Sequence, residues 1–167
     1  MTTQTITEKD HYLAALEREF EITMRLLGDY PPAQLDLKPN DKLKTARDIM
    51  WMQVAERAVL QIVIAQDRLE PQPPPPAPAT LEALLAALTG AQQELVTKLR
   101  TMDASAMNSM ITMPVGPKQM GQVRRGDAMW MFMYDGIHHR GQLSVYQRLA
   151  GGKVRSIYGP SADEPWW

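Results

Sequence analysis

The 167-residue chain contains no cysteine, which removes disulfides, thiolate metal ligands, a cysteine nucleophile and a dithiol redox motif together. It also lacks a charge excess. Eighteen basic residues stand against nineteen acidic ones, for a net charge of -1, and no block of like charge interrupts the mixture. The electrostatic footprint of a nucleic-acid or anionic-membrane binder is therefore missing, and partners of either kind are not expected. No apolar run reaches the length of a membrane span. The segment Met1 to Asp10 has neither a basic start nor an apolar stretch, so it does not read as a signal peptide, and a cytoplasmic location is the expectation. No internal repeat is evident. What remains is an apolar content of 44%, enough to build one sizeable core, and residues 1–167 are read as a single domain.

Four segments carry a helical period. In the first, about 7–28, Leu13, Leu16, Phe20, Met24 and Leu27 recur every three or four residues until Gly28 and Tyr30-Pro31-Pro32 end the run. The second, about 45–68, opens at Thr45, a good N-cap, and its apolar line holds Ile49, Met52, Val59, Leu60 and Val63 with Glu56 among them. A carboxylate on that line needs a polar partner or access to water. Pro71 to Pro78 holds six prolines and reads as a semi-rigid connector. The third helix, about 80–102, shows the cleanest stripe: Leu81, Leu84, Leu85, Leu88, Leu95 and Leu99. Residues 103–126 form a long connection, marked by Asn108, Pro114, Gly116, Pro117, Gly121 and Gly126 and briefly extended over 109–115. The fourth helix, about 127–150, is expected to start at Asp127 and to stop at Gly151-Gly152. The twelve methionines read as gap fillers of a helical core. Four helices of this length pack most economically as an all-α four-helix bundle, in which ligand sites are built at mid-height from inward side chains.

The stretch Asp135-Gly136-Ile137-His138-His139-Arg140-Gly141-Gln142 carries the chemistry. On a helix, Asp135 and His139 stand at i and i+4, where a carboxylate and an imidazole can grip one metal ion or bond to each other. A line along this helix runs through Ala128, Met131, Asp135, His139, Gln142, Tyr146 and Leu149, polar in the middle and apolar at both ends. His138 is turned away by roughly 100° and reads as a structural or supporting group. Arg140 and Gln142 are candidates to anchor the C-terminal tail, with Asp163 or Glu164 as partners for Arg140. His11 reads as a surface residue. Trp166-Trp167 at the end invite burial, on the bundle or on a second subunit.

The run His138-His139-Arg140-Gly141-Gln142-Leu143, then Tyr146 and Leu149, then Gly151-Gly152-Lys153-Val154 and Ser156 to Glu164, closely resembles the C-terminal part of the DinB/YfiT-like superfamily. Leu13-xx-Leu16-Glu17, the Leu35 to Pro39 loop and Thr45 to Trp51 resemble its N-terminal pattern. The resemblance implies a four-helix bundle of up-down-down-up topology with a C-terminal tail, often dimeric, holding a divalent metal on three histidines. Members with known activity include thiol-dependent transferases and hydrolase-like enzymes, and the family name refers to damage inducibility, a stress response. Carried over by position, one ligand falls on His139. A second falls on Asp135, where the family has histidine; an aspartate still binds through oxygen. The third, on the second helix, falls on Met52, with Gln53 beside it. A thioether is a poor ligand for such an ion, and Glu56, one turn beyond Met52, is the candidate replacement.

The residues thus support a metal-dependent transferase or hydrolase acting on a small molecule, with one nickel, zinc or manganese ion on Asp135, His139 and Glu56, and with His138, Gln142 and Arg140 around them. A homodimer is the expected assembly. The alternative is a member that keeps the bundle and the dimer, binds no metal and serves as a small-molecule-binding or interaction module.

Overall fold

The computed structural model describes residues 5–70 and 72–167; the expectations for the first four residues and for Pro71 lie outside them. Three helices begin at threonines. Helices α1 (Glu8–Gly28), α2 (Ala46–Ala65) and α3 (Leu81–Thr101) are capped by Thr7, Thr45 and Thr80, whose side chains accept from the backbone N–H three residues on. Asp10 and Asp48 return the bond to the cap backbone, so two orphan donors are satisfied at each start. Helix α2 stops at Ala65, three residues short of the sequence expectation. The chain there turns to pair with the next segment: Leu69 N–H donates to Thr112 O and Thr112 N–H to Asp67 O, both at 2.9 Å.

Residues 103–126 are more ordered than a connection. Strands β1 (Met110–Gly116) and β2 (Gln119–Arg124) form an antiparallel hairpin with Ile111 opposite Val123 and Met113 opposite Gly121. Ile111 and Met113 are buried and their neighbours are not, the alternation of a strand with one covered face. Strand β2 then runs without a loop into helix α4 (Arg125–Leu149). Helix α4 therefore starts two residues before Asp127, and Asp127 is no cap: it lies in the first turn and accepts from Arg124 at 2.6 and 3.1 Å. At the other end Gly151 takes a φ of +80°, the left-handed position that closes a helix and suits glycine.

Side-chain pairs fix the helix directions. Arg57 meets Gln92, and four residues on Gln61 meets Glu94 and Lys98, so α2 and α3 run parallel. Lys9 on α1 reaches the Met102 carbonyl, whereas Glu17 meets Arg100, so α1 and α3 are antiparallel. Tyr146 bonds to Lys44 O, Gln53 to Gly136 O, and Arg125 to Gln66 O, which makes α2 and α4 antiparallel. Each helix thus has two neighbours, in the order α1, α3, α2, α4 around the bundle. A parallel α2–α3 pair needs a connection that returns the whole length of a helix. The 20 residues of α2 rise about 30 Å, and the roughly 15 residues of the proline-rich connector reach about 45 Å when extended. Trp51 Nε1 donates to Pro75 O at 2.6 Å and Arg47 to Ala79 O at 3.2 Å, laying the connector back along α2.

The core is divided. One apolar cluster gathers Tyr12, Leu60, Leu95, Leu99, Met107, Ile111 and Met129 toward the hairpin end, and a second gathers Leu26, Ile49, Met50, Leu84, Leu88 and Leu143 toward the other. Between them lies a buried polar layer. Arg140, 1% exposed, donates to the Glu19 carboxylate at 2.7 Å, to Glu19 O at 3.1 Å and to Thr23 Oγ1 at 3.3 Å. Tyr158 from the tail also donates to Glu19, at 2.6 Å, and its ring centroid lies 5.2 Å from the Arg140 guanidinium. The expected pairing of Arg140 with Asp163 or Glu164 is not observed. Arg140 points into the bundle, where Glu19 supplies the carboxylate, while Asp163 and Glu164 engage Arg148 at 2.9 Å and Arg25 at 3.1 Å on the outside. Of the terminal indoles, Trp166 folds back to donate to Ser156 Oγ at 3.0 Å and Trp167 is exposed. Among the described residues no helix is long and apolar enough to cross a membrane.

Burial alone would raise the Glu19 carboxyl, but Tyr158, Arg140 and Arg18 together outweigh it and hold the group below its ordinary value of 4.5. Stability from this contact is therefore present above the ordinary carboxylate range and is lost as the pH falls through the lowered pKa. Glu19→Gln should leave the Arg140 charge buried without its partner and reduce the unfolding free energy in urea at pH 7 by about 3 kcal/mol. The gap from the parent chain should narrow as the pH falls below the carboxylate range; a gap independent of pH would show that the charge of Glu19 is not what stabilises.

Candidate metal centre

Helix α2 turns Ile49, Gln53, Glu56, Leu60 and Val63 inward, and α4 answers with Met129, Met133, Arg140 and Leu143, both at the three-and-four spacing of one helix face. At mid-height the two backbones come close. Gln53 Nε2 donates to Gly136 O at 2.7 Å, and a Cβ on Gly136 would stand 2.8 Å from Glu56 Oε2. Glycine inside a helix costs about 1 kcal/mol against alanine; here it makes room for the carboxylate of the facing helix.

Glu56 Oε1 and His139 Nδ1 are 2.6 Å apart, and Asp135 Oδ2 is 3.8 Å from the same nitrogen. Ligand atoms of all three residues lie within 4.8 Å of one another. Glu56 and His139 are each 8% exposed, whereas half of the Asp135 side chain faces solvent, so the cluster has a buried floor and an open rim. Burial, with a smaller push from Asp135, raises the Glu56 carboxyl against the opposing pull of His139. The hydrogen bond from Glu56 raises the His139 imidazole, burial opposing it. Both groups are thus shifted upward, and a single proton between Oε1 and Nδ1 satisfies the pair. Two carboxylates and an imidazole drawn from two helices form a donor set suited to a divalent ion, and the space left by Gly136 is what allows Glu56 to take its place in that set.

The structure thus brings together Glu56, Asp135 and His139. Met52, where the resemblance places the α2 ligand, is half-buried and carries a thioether, while its neighbour Gln53 is 1% exposed. The inward register of α2 is one residue beyond the line drawn through Met52, because Gln53 and Arg57 turn inward with Glu56. The line drawn along α4 holds only in part: Ala128, His139 and Tyr146 are buried, whereas Met131 and Leu149 are exposed. His138 is exposed and lies 2.9 Å from Gln142, ring nitrogen to amide nitrogen, which places Gln142 against His138 and not against the tail. Arg140 lies on the far side of the layer with Glu19. His11 is exposed, as expected.

One buried group escaped the sequence. Arg57, 6% exposed, donates to Gln53 O at 2.7 Å and to Gln92 Oε1 at 2.9 Å, and its guanidinium carbon lies 5.7 Å from the Phe20 ring centroid. Burial lowers its pKa to about 10. Its only sequence signal is its place four residues after Gln53 and three before Leu60, a position that a hydropathy pattern assigns to the surface.

Residues 1–166 match the model of the DinB family. The chain belongs to the DinB family. It is 28% identical over 159 residues to the uncharacterised protein YrdA of Bacillus subtilis strain 168, covering 93% of this chain and 90% of that one. A DinB-like protein of Bacillus cereus ATCC 10987 superposes with a TM-score of 0.73 at 16% identity, over 88% of this chain and 95% of the other. YfiT of Bacillus subtilis, described as a probable metal-dependent hydrolase with an unusual four-helix bundle topology, superposes with a TM-score of 0.71 at 15% identity, over 92% and 94%. These two likenesses establish the YfiT-like four-helix bundle fold.

Gly136→Ala should push the Glu56 carboxylate away from its present place and loosen its bond to His139. In metal-free protein the His139 ring, followed by NMR, should then titrate closer to its ordinary value of 6.5, with helical circular dichroism retained. In the parent chain the contribution of the raised His139 pKa to stability is full below that ordinary value and is lost as the pH rises through the raised pKa. An unchanged titration in the variant would show that the methyl group is absorbed elsewhere.

Proposed function

We propose that this DinB family member is a metal-dependent enzyme that hydrolyses a small molecule or transfers a group from it, with Glu56, Asp135 and His139 holding one divalent ion such as nickel, zinc or manganese. The observation that carries the reading is the convergence of three ligand atoms from α2 and α4 within 4.8 Å, in a fold shared with a protein described as a probable metal-dependent hydrolase. A divalent ion bound there supplies Lewis-acid polarisation of a substrate oxygen. The residues themselves supply the rest. Glu56 and His139, buried against each other, share a proton in the metal-free chain that binding of the ion would displace. Asp135, half exposed, marks the side from which substrate enters. Gln53 keeps α4 in register through Gly136 O, and apolar clusters lie above and below the layer.

The 2.6 Å bond between Glu56 and His139 is also what a metal-free buried pair would show, in a chain that has Met52 where the family resemblance expects a ligand. Elemental analysis separates the two readings. Protein purified without an affinity tag from metal-replete cells should carry close to one equivalent of divalent metal. His139→Ala should carry none, and Asp135→Asn should bind zinc at least about tenfold more weakly by competition with a chelator. Sub-stoichiometric metal in the parent chain, unchanged by His139→Ala, would overturn the enzyme reading in favour of a metal-free binding module.

A further inference from the structure

Beside the three-residue cluster lies an open cleft of about 370 Å³, walled by Lys42, Leu43 and Lys44 from the loop before α2 and by His139, Gln142 and Tyr146 from α4. The loop is held in place by its own bonds. Lys42 N–H donates to Asn40 Oδ1 and Leu43 N–H to Asn40 O, at 3.0 and 2.9 Å, and Tyr146 donates its hydroxyl proton to Lys44 O at 3.0 Å. Two ammonium groups therefore belong to a wall whose backbone is fixed. Among the described residues neither has a carboxylate within 4.0 Å, although Arg47, close in sequence, is paired with Asp36 at 2.7 Å. His139 lines this cleft and also belongs to the three-residue cluster, so the lysine wall and the cluster share that side chain. The remaining surface is partly apolar, with Leu43 and Val145 each about half exposed. Unpaired cations beside an apolar lining suit a small molecule with an anionic end and an apolar body.

We infer that this cleft binds the anionic group, phosphate or carboxylate, of a small-molecule substrate through Lys42 and Lys44, and that the rest of the substrate reaches the Glu56, Asp135 and His139 cluster. The second half of the inference rests on the metal-dependent enzyme proposed above; the first does not. Lysine presents a point charge on a flexible stem, and two of them two residues apart in one loop can close on a phosphate or a carboxylate without a bidentate fork.

The test uses the full-length protein, with and without one equivalent of zinc, titrated with inorganic phosphate and separately with succinate while backbone amide shifts are followed by NMR. Saturable shifts at residues 42–44 and 139–146 are expected for at least one anion. The tighter of the two identifies a phosphoryl or a carboxylate substrate, and either result supports the site. Lys42→Gln combined with Lys44→Gln should weaken that binding about tenfold or more while leaving zinc stoichiometry unchanged, and Lys42→Arg with Lys44→Arg should retain it. Absence of saturable shifts for both anions, or equal affinity in the doubly neutralised chain, would overturn the inference. Anion binding in a chain that takes up no zinc would leave the anionic site standing and defeat the metal centre, so the two failures are distinguishable.

Discussion

The bundle depends on a layer of buried charge that is satisfied internally. Glu19 and Arg140 join α1 to α4, and Glu56 and His139 join α2 to α4. Both contacts lie between the two apolar clusters, where an unpaired ion would cost several kcal/mol. Apolar packing alone would tolerate sliding of one helix on another by a turn, since leucines and methionines are largely interchangeable in a core. The polar pairs do not tolerate it. A one-turn slip of α4 would separate both partners at once, so the layer fixes register while the leucines supply the bulk of the burial.

The two pairs differ in what they leave free. Around Glu19, the carboxylate is engaged by Arg140 and Tyr158, and Tyr158 brings the C-terminal tail over it. Around Glu56 the partner is a single imidazole, the second carboxylate stands at the rim, and a glycine on the facing helix leaves the room that a methyl group would take. One pair is therefore closed and structural in character, and the other is open on one side and able to exchange its proton for a cation. The two carboxylates stand on different helices and their partners, His139 and Arg140, are consecutive residues of α4; the pairs serve different ends because of what covers them.

Much of the frame was legible in the sequence because threonine caps, proline runs and leucine spacing act locally. Thr45 as the α2 cap and Gly151 as the stop of α4 are examples, each decided by backbone geometry within a few residues. The hairpin was only half legible: β1 alternates the buried Ile111 and Met113 with less buried neighbours, but β2 presents glutamines and a glycine that gain their strand character only from the partner. Asp127 was misassigned for the same reason, as β2 feeds directly into α4 and leaves no place for a cap. Glu56 stood out because a carboxylate on an apolar line demands a partner. Arg57 did not, since an arginine beside it reads as solvent-exposed until Gln92 and Phe20 from distant segments are seen to enclose it. Arg140 was rightly singled out but wrongly paired, because the tail carboxylates are close to it in sequence and Glu19 is not.

The position of Asp135 follows from the same geometry. On α4 the inward stripe passes through Met133, Gly136 and Arg140, and His139 lies at its edge; one turn before His139 and farther round the helix, Asp135 has no choice but to stand at the surface. A third ligand supplied from mid-α2, as the family resemblance implies, would have closed the site from the bundle side. Here Gln53 occupies the inward face at that height and spends its amide on Gly136 O, and the carboxylate that reaches His139 from α2 is Glu56, one turn beyond Met52. The floor of the cluster therefore lies inward, while its rim stays with Asp135. An ion held in that arrangement would be gripped from below by buried groups and met from the side by solvent and substrate, which is the asymmetry a chemical site requires and a purely structural one does not.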